Sequence, residues 1–158
     1  TCRDWSSDVC SSDLTDIEIV RPLWYQLNDH HHAHARVHQA VYERMTFEER
    51  KEHFERIAAA GALRVDLALD TAADRYIGYC ITSLSPDGTG EIESIFVEEQ
   101  YRPAGIGTAL VQRALAWLEK NSPARIQVSI ADGNEETFSF YRRFGFYPRR
   151  TILEQKRG

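Results

Sequence analysis

From Thr15 onward the apolar positions follow two periods, first helical and then alternating. In "TDIEIVRPLWYQLNDHH" the residues Ile17, Val20, Trp24 and Leu27 share one face of a helix, and Thr15 with Glu18 supplies a capping box. Pro22 comes early enough in that helix to be tolerated with a kink. The run "TFEERKEHFERIAAAG" repeats the device with Thr46 and Glu49, buries Phe47, Phe54 and Ile57, and stops at Gly61. Then the period drops to two. "LRVDLAL" alternates Leu63, Val65, Leu67 and Leu69 with polar or small residues, "TAADR" turns, "YIGYCITSLS" runs back, "PDGTG" turns again and "EIESIFV" makes a third strand. This predicts an antiparallel meander. Beyond it the pattern predicts a glycine-containing loop and a helix from about Gly105 to Lys120, with Ile106, Leu110, Ala114, Trp117 and Leu118 facing inward. A strand "RIQVSIA", a helix from Asn134 to Phe144 closed by Gly145, and a last strand "FYPRRTILEQ" follow. The order of elements predicts one α/β (α+β) domain: a central mixed, mostly antiparallel sheet flanked by helices. No internal repeat or linker interrupts it.

Composition narrows the class without choosing a function. The chain has 158 residues, 42% hydrophobic and 27% charged, with a formal net charge of -5. That length holds one ordinary core, and no apolar run is long enough to span a bilayer. The negative charge argues against nucleic acid as the main partner and favours a cationic one. Of the three cysteines, Cys2 and Cys10 lie before Thr15, leaving Cys80 inside an apolar strand, as a buried thiol of a cytoplasmic protein.

The loop "YRPAGIGTAL" joins a strand directly to an amphipathic helix. A helix N-terminus offers free N–H groups and a partial positive charge, and small residues let a phosphate approach the backbone. Gly105 and Gly107 therefore read as an anion cradle or, in the plainer alternative, as a tight turn that needs glycine. No Lys-Ser/Thr follows, so it is not a P-loop, and the hairpin-linked strands before it exclude a dinucleotide fingerprint.

Together, the element order, "RxxGxG" and the later "NxxTxxFYxxxGF" resemble the GNAT superfamily of acyl-CoA-dependent N-acyltransferases over residues 15 to 155. Arg102, Gly105 and Gly107 match its first motif, and Asn134, Tyr141, Gly145 and Phe146 its second. The resemblance implies an acyltransferase that moves the acetyl group of acetyl-CoA, its co-substrate, to a primary amine by direct attack in a ternary complex. It implies that the backbone of Arg102, Ala104, Gly105, Ile106, Gly107 and Thr108 binds the pyrophosphate, Pro103 having no N–H to give. The segment Ile95, Phe96 and Val97 would flank the cofactor, with a main-chain N–H near Val97 as oxyanion donor. Asn134, also expected as a helix N-cap, would hold the pantetheine arm, and Tyr141 would protonate the leaving thiolate. Glu91 and Glu93, on one strand face by alternation, are the candidate bases; side by side they would raise each other's pKa. The plain alternatives are strand-face acids and a core aromatic. The acceptor is a small-molecule or peptide amine, with no nucleic acid or membrane partner, and many relatives pair as homodimers.

"NDHHHAHARVH" holds five of the six histidines, and His30, His34 and His38 recur at i, i+4, a spacing able to chelate a metal on a helix. With no companion cysteine or glutamate at ligand spacing, no metal is expected; Asp29, His30 and His31 are read as substrate-recognition groups instead. The competing function is a module that holds acyl-CoA, or a metal through the histidines, without turnover. Finally, Asp4 to Leu14 ("DWSSDVCSSDL") resembles a common short-read sequencing adapter translated in one frame. Residues 1–14 are therefore expected to be a non-native leader before a domain of residues 15–158, standing where the family's first strand belongs and packing poorly or mimicking an edge strand.

Overall fold

The computed structural model describes residues 17–157 and the backbone of residues 5–6. The Thr15 capping box and most of the adapter-like leader lie outside the described residues. Within them the chain runs β1 (Trp5–Ser6), α1 (Ile17–His34), α2 (Gln39–Arg44), α3 (Phe47–Ala60), β2 (Ala62–Asp70), β3 (Arg75–Leu84), β4 (Thr89–Val97), a 3-10 helix (Glu99–Ala104), α4 (Ile106–Lys120), β5 (Arg125–Val128) and α5 (Thr137–Arg142). The sheet order is β1-β2-β3-β4-β5, antiparallel except for the parallel pair β4 and β5 that α4 connects. Trp5 and Ser6 pair with Asp70 and Leu69 at the edge, where the sequence placed a default edge strand.

Strand alternation divides the core into two layers. Leu63, Val65, Leu67, Tyr79, Ile81 and Phe96 meet α1 and α3 through Ile17, Val20, Trp24, Phe47 and Phe54. Cys80, Ile92 and Val97 point the other way, to Ile106, Leu110, Val111 and Ala114 of α4 and Tyr141 of α5. Removing a residue such as Phe54 from this packing costs about 3–5 kcal/mol. The α3 start is the expected capping box, Thr46 and Glu49 satisfying each other's backbone N–H. The carboxylate of Asp66, almost fully buried, accepts from Arg64 of its own strand (2.8 Å twice) and from Arg113 Nε of α4 (3.0 Å), which fastens that helix to the sheet. No helix among the described residues is long and apolar enough to cross a membrane.

Five expectations are corrected. "FYPRRTILEQ" forms no strand: residues 146–157 carry no regular structure, and Ile152 and Leu153 stand exposed. Pro148 removes a ladder donor, and the apolar positions there do not alternate. The strand that was to reach Ala131 ends at Val128, and the last helix shrinks to Thr137–Arg142. Asn134 is not its N-cap; that position is Glu136, with no side-chain cap bond. On α4, Val111 is fully buried while Trp117 is only partly so, in keeping with the difficulty of covering an indole completely.

Candidate active site

The parallel pairing of β4 with β5 stops at Ile92 opposite Val128, yet β4 continues to Val97. Its last residues therefore lose their β5 neighbour, and a cleft of about 460 Å³ opens there. Its floor is Ile95, Phe96 and Val97. One wall is Arg102 of the 3-10 helix, the Gly105 cap and the first turn of α4 (Gly107, Thr108), the other is Asn134, Thr137, Phe140 and Tyr141, and Leu27 and His30 of α1 close the end.

The glycine wall has the geometry of an anion cradle. Gly105 is left-handed, with φ 78° and no atom within 4 Å of a hypothetical Cβ, so its requirement is conformational. Ala109 donates to the Gly105 carbonyl at 3.1 Å, which leaves the N–H groups of Ile106, Gly107 and Thr108 as the open donors of the first turn. Arg102 turns its Nε back onto the Val97 carbonyl (3.0 Å) and closes the strand end. Arg143, which the sequence reading missed, donates from Nη2 to Thr108 Oγ1 (2.9 Å) and lies over Phe140 and Phe144, placing a cation at the cradle's rim. The cation pair in "YRRFGF" was the available signal for it.

Tyr141 faces the cleft with 6% of its surface exposed, edge-on to Phe140 and Phe146. Burial, and secondarily Cys80, lifts its phenol well above the ordinary tyrosine range, so it is neutral at physiological pH. Asn134 Oδ1 accepts from His30 Nε2 at 3.3 Å.

The structure does not bring every predicted residue to this cleft. Ile106 turns its side chain into the core, and the side chains of Ala104, Asp29 and His31 are outside the lining. His31 packs on Tyr42, and burial, with His30 and His34, lowers its pKa to about 4. His38 lies beyond the end of α1, off the helical register of His30 and His34. Because Ile92 faces α4, its neighbours Glu91 and Glu93 fall together on the opposite sheet face, as alternation predicted, but each has its own partners. Glu91 accepts from Gln127 Nε2 (2.8 Å) and Ser129 Oγ (3.2 Å) of the β5 segment. Glu93 accepts from Ser83 Oγ (2.6 Å) and stands 3.8 Å from His53 Nε2. A bulge at Glu93, where Ile81 pairs with Ser94 and Thr82 with Ile92, separates the two environments. Neither carboxylate lines the cleft. A larger hollow of about 710 Å³ between α2 and residues 153–157 contains none of the glycine wall, Tyr141, Glu91 or Glu93.

The sequence model of the acetyltransferase (GNAT) family matches residues 23–146. The chain belongs to the acetyltransferase (GNAT) family. An uncharacterized N-acetyltransferase of Methanocaldococcus jannaschii is 29% identical over 72 residues, 46% of this chain and 32% of that protein, so the chain spans about a third of the curated relative it matches. Among solved structures, a Trypanosoma brucei acetyltransferase superposes with TM-score 0.67 at 16% identity, covering 97% of this chain and 99% of its own. An aminoglycoside N-acetyltransferase solved with CoA, AAC(6')-Iy, superposes with TM-score 0.69 at 19% identity over 100% and 99% of the two chains. At such identities these likenesses establish the shared fold of this GNAT chain.

Proposed function

We propose that this GNAT protein is an N-acetyltransferase that moves the acetyl group of acetyl-CoA to a primary amine within a ternary complex. The observation that carries the reading is the single cleft in which the open first turn of α4, the unpaired end of β4 and the buried phenol of Tyr141 meet. The N–H groups of Ile106, Gly107 and Thr108, with Arg143 beside them, hold the CoA pyrophosphate. Asn134 receives the pantetheine arm, and Ile95 to Val97 flank it. The neutral amine attacks the thioester carbonyl carbon; a main-chain N–H near Val97 steadies the oxyanion, the C–S bond breaks, and Tyr141 gives its proton to the departing thiolate. The ammonium proton leaves through water to Glu91 or Glu93. Glu93 is the better placed, because His53 beside it gives the proton a second stop.

The fold-level likeness to an aminoglycoside N-acetyltransferase solved with CoA supports a CoA site and a small-molecule amine acceptor. Thiol release from acetyl-CoA against a panel of polyamines, amino sugars, amino acids and peptides tests the reading. CoA-dependent thermal stabilisation with no thiol release from any amine, together with a Tyr141→Phe protein indistinguishable from wild type, would reduce the protein to an acyl-CoA-binding module.

A further inference from the structure

The histidine-rich end of α1 is not simply solvated. His30 and His34, one turn apart, stack with ring centroids 4.0 Å apart, and Glu136, just before α5, brings a carboxylate to them. One ligand atom from each of His30, His34 and Glu136 lies within 4.8 Å of the others. The companion donor that the sequence lacked is thus a carboxylate from across the cleft, and His38 is not part of the group. Two features hold the group in place. His34 Nδ1 lies 2.8 Å from the His30 carbonyl; a carbonyl only accepts, so Nδ1 carries the proton and Nε2 keeps a free lone pair, the state of a metal-ligating imidazole oriented by an outer hydrogen bond. The loop bearing Glu136 is pressed against the end of α1, since Gly133, at φ 89°, would place a Cβ 1.9 Å from the His34 carbonyl oxygen, and Arg36 pairs with Asp132 and Glu135.

We infer that His30, His34 and Glu136 form a binding site for a divalent transition-metal ion of the zinc class, and that its occupancy excludes acyl-CoA from the cleft. Two imidazoles and a carboxylate are a zinc-type donor set with a fourth position open. Tetrahedral zinc at ligand distances of about 2.0–2.1 Å separates its ligands by about 3.4 Å, so no gap has to close by more than about 1.4 Å. Glu136 is exposed and free to make that movement. His30 and Glu136 also line the CoA cleft, and Asn134 touches His30. Drawing the two side chains together on a metal therefore narrows the passage proposed for the pantetheine arm. The exclusion half rests on the CoA reading above; the metal half does not.

The test is calorimetric titration of the chelator-treated full chain with Zn²⁺, and with Co²⁺ followed by visible absorption, with and without desulfo-CoA, which has no thiol to take the metal itself. Tight one-to-one binding is expected, with a tetrahedral Co²⁺ spectrum. His34→Gln and Glu136→Gln should each weaken binding at least about tenfold, whereas His38→Gln keeps it. Saturating desulfo-CoA should weaken Zn²⁺ binding in wild type. Equal losses in His38→Gln and His34→Gln, or wild-type binding no tighter than that of His34→Gln, overturn the site. Zn²⁺ binding untouched by desulfo-CoA that is itself bound overturns the exclusion. Failure of desulfo-CoA to bind the metal-free protein refutes the CoA reading and the exclusion with it, and leaves the metal titration to be read alone.

Discussion

The two glycines of the cradle are there for different reasons, and alanine separates them. At Gly105 a Cβ meets nothing within 4 Å, but φ is 78°. A left-handed backbone with a side chain costs about 1–2 kcal/mol, and at this chain length each kcal/mol lowers Tm by about 2–4 °C. Gly105→Ala should therefore unfold about 2–8 °C earlier, with CoA affinity changing little once the protein is folded. At Gly107 the backbone is helical, and the nearest atoms to a Cβ are Phe140 ring carbons at 3.6 and 3.8 Å, ordinary contacts. Relieving a helix of glycine stabilises it by up to about 1 kcal/mol, so Gly107→Ala should melt at or slightly above wild type. Its methyl, however, enters the cleft beside the open N–H donors. Losing one charge-assisted hydrogen bond to a phosphate is worth about 1.5–3 kcal/mol, or about 10- to 150-fold in Kd. Thermal melts and calorimetric CoA titrations on both variants give the answer. Unchanged CoA affinity in Gly107→Ala would refute the placement of the phosphate on this turn, and an unshifted Tm in Gly105→Ala would refute the conformational reading of Gly105.

Tyr141→Phe should lower kcat by about 10²- to 10⁴-fold while CoA still binds. Because burial raises the Tyr141 pKa, the neutral acid persists above the ordinary tyrosine value, so a pH–rate profile that falls at about 10 through loss of this acid would contradict its assignment. Gly133→Ala, with both a left-handed backbone and a Cβ 1.9 Å from the His34 carbonyl oxygen, should destabilise by more than the about 1–2 kcal/mol of strain alone, read from denaturant midpoints. Cys80 is fully buried with its thiol pushed up to about 12 by burial, so mass spectrometry should find it unalkylated in the native protein at neutral pH and modified after denaturation.

What the sequence could disclose followed from local periodicity. The α3 boundaries, the meander and most of the inner face of α4, all but Val111 and Trp117, were legible because each is written in residues a few positions apart. The short helix α2 was not, because it buries no side chain and has no apolar stripe; Asn28 Nδ2 on the Tyr42 carbonyl (2.9 Å) holds it instead. The last helix was overextended because its Glu and Arg residues favour a helix, whereas residues before Thr137 form turns, beginning beside the left-handed Gly133 that packs on the end of α1.

The cleft itself is written across the whole chain, and this is why the pair Glu91 and Glu93 was legible as a pair but not as two unequal groups. Alternation correctly put them on one face, but it cannot register that β4 carries a bulge at Glu93 and loses β5 after Ile92. Those two irregularities give Glu91 an amide and a hydroxyl donor from the β5 segment, and Glu93 a serine with an imidazole behind it. Glu93 also stands 3.8 Å from His53, whose imidazole is partly exposed, and this neighbour is what favours Glu93 in the proposed mechanism. The asymmetry on which we propose Glu93 rather than Glu91 as the base thus arises from a break in the regularity by which both residues were found.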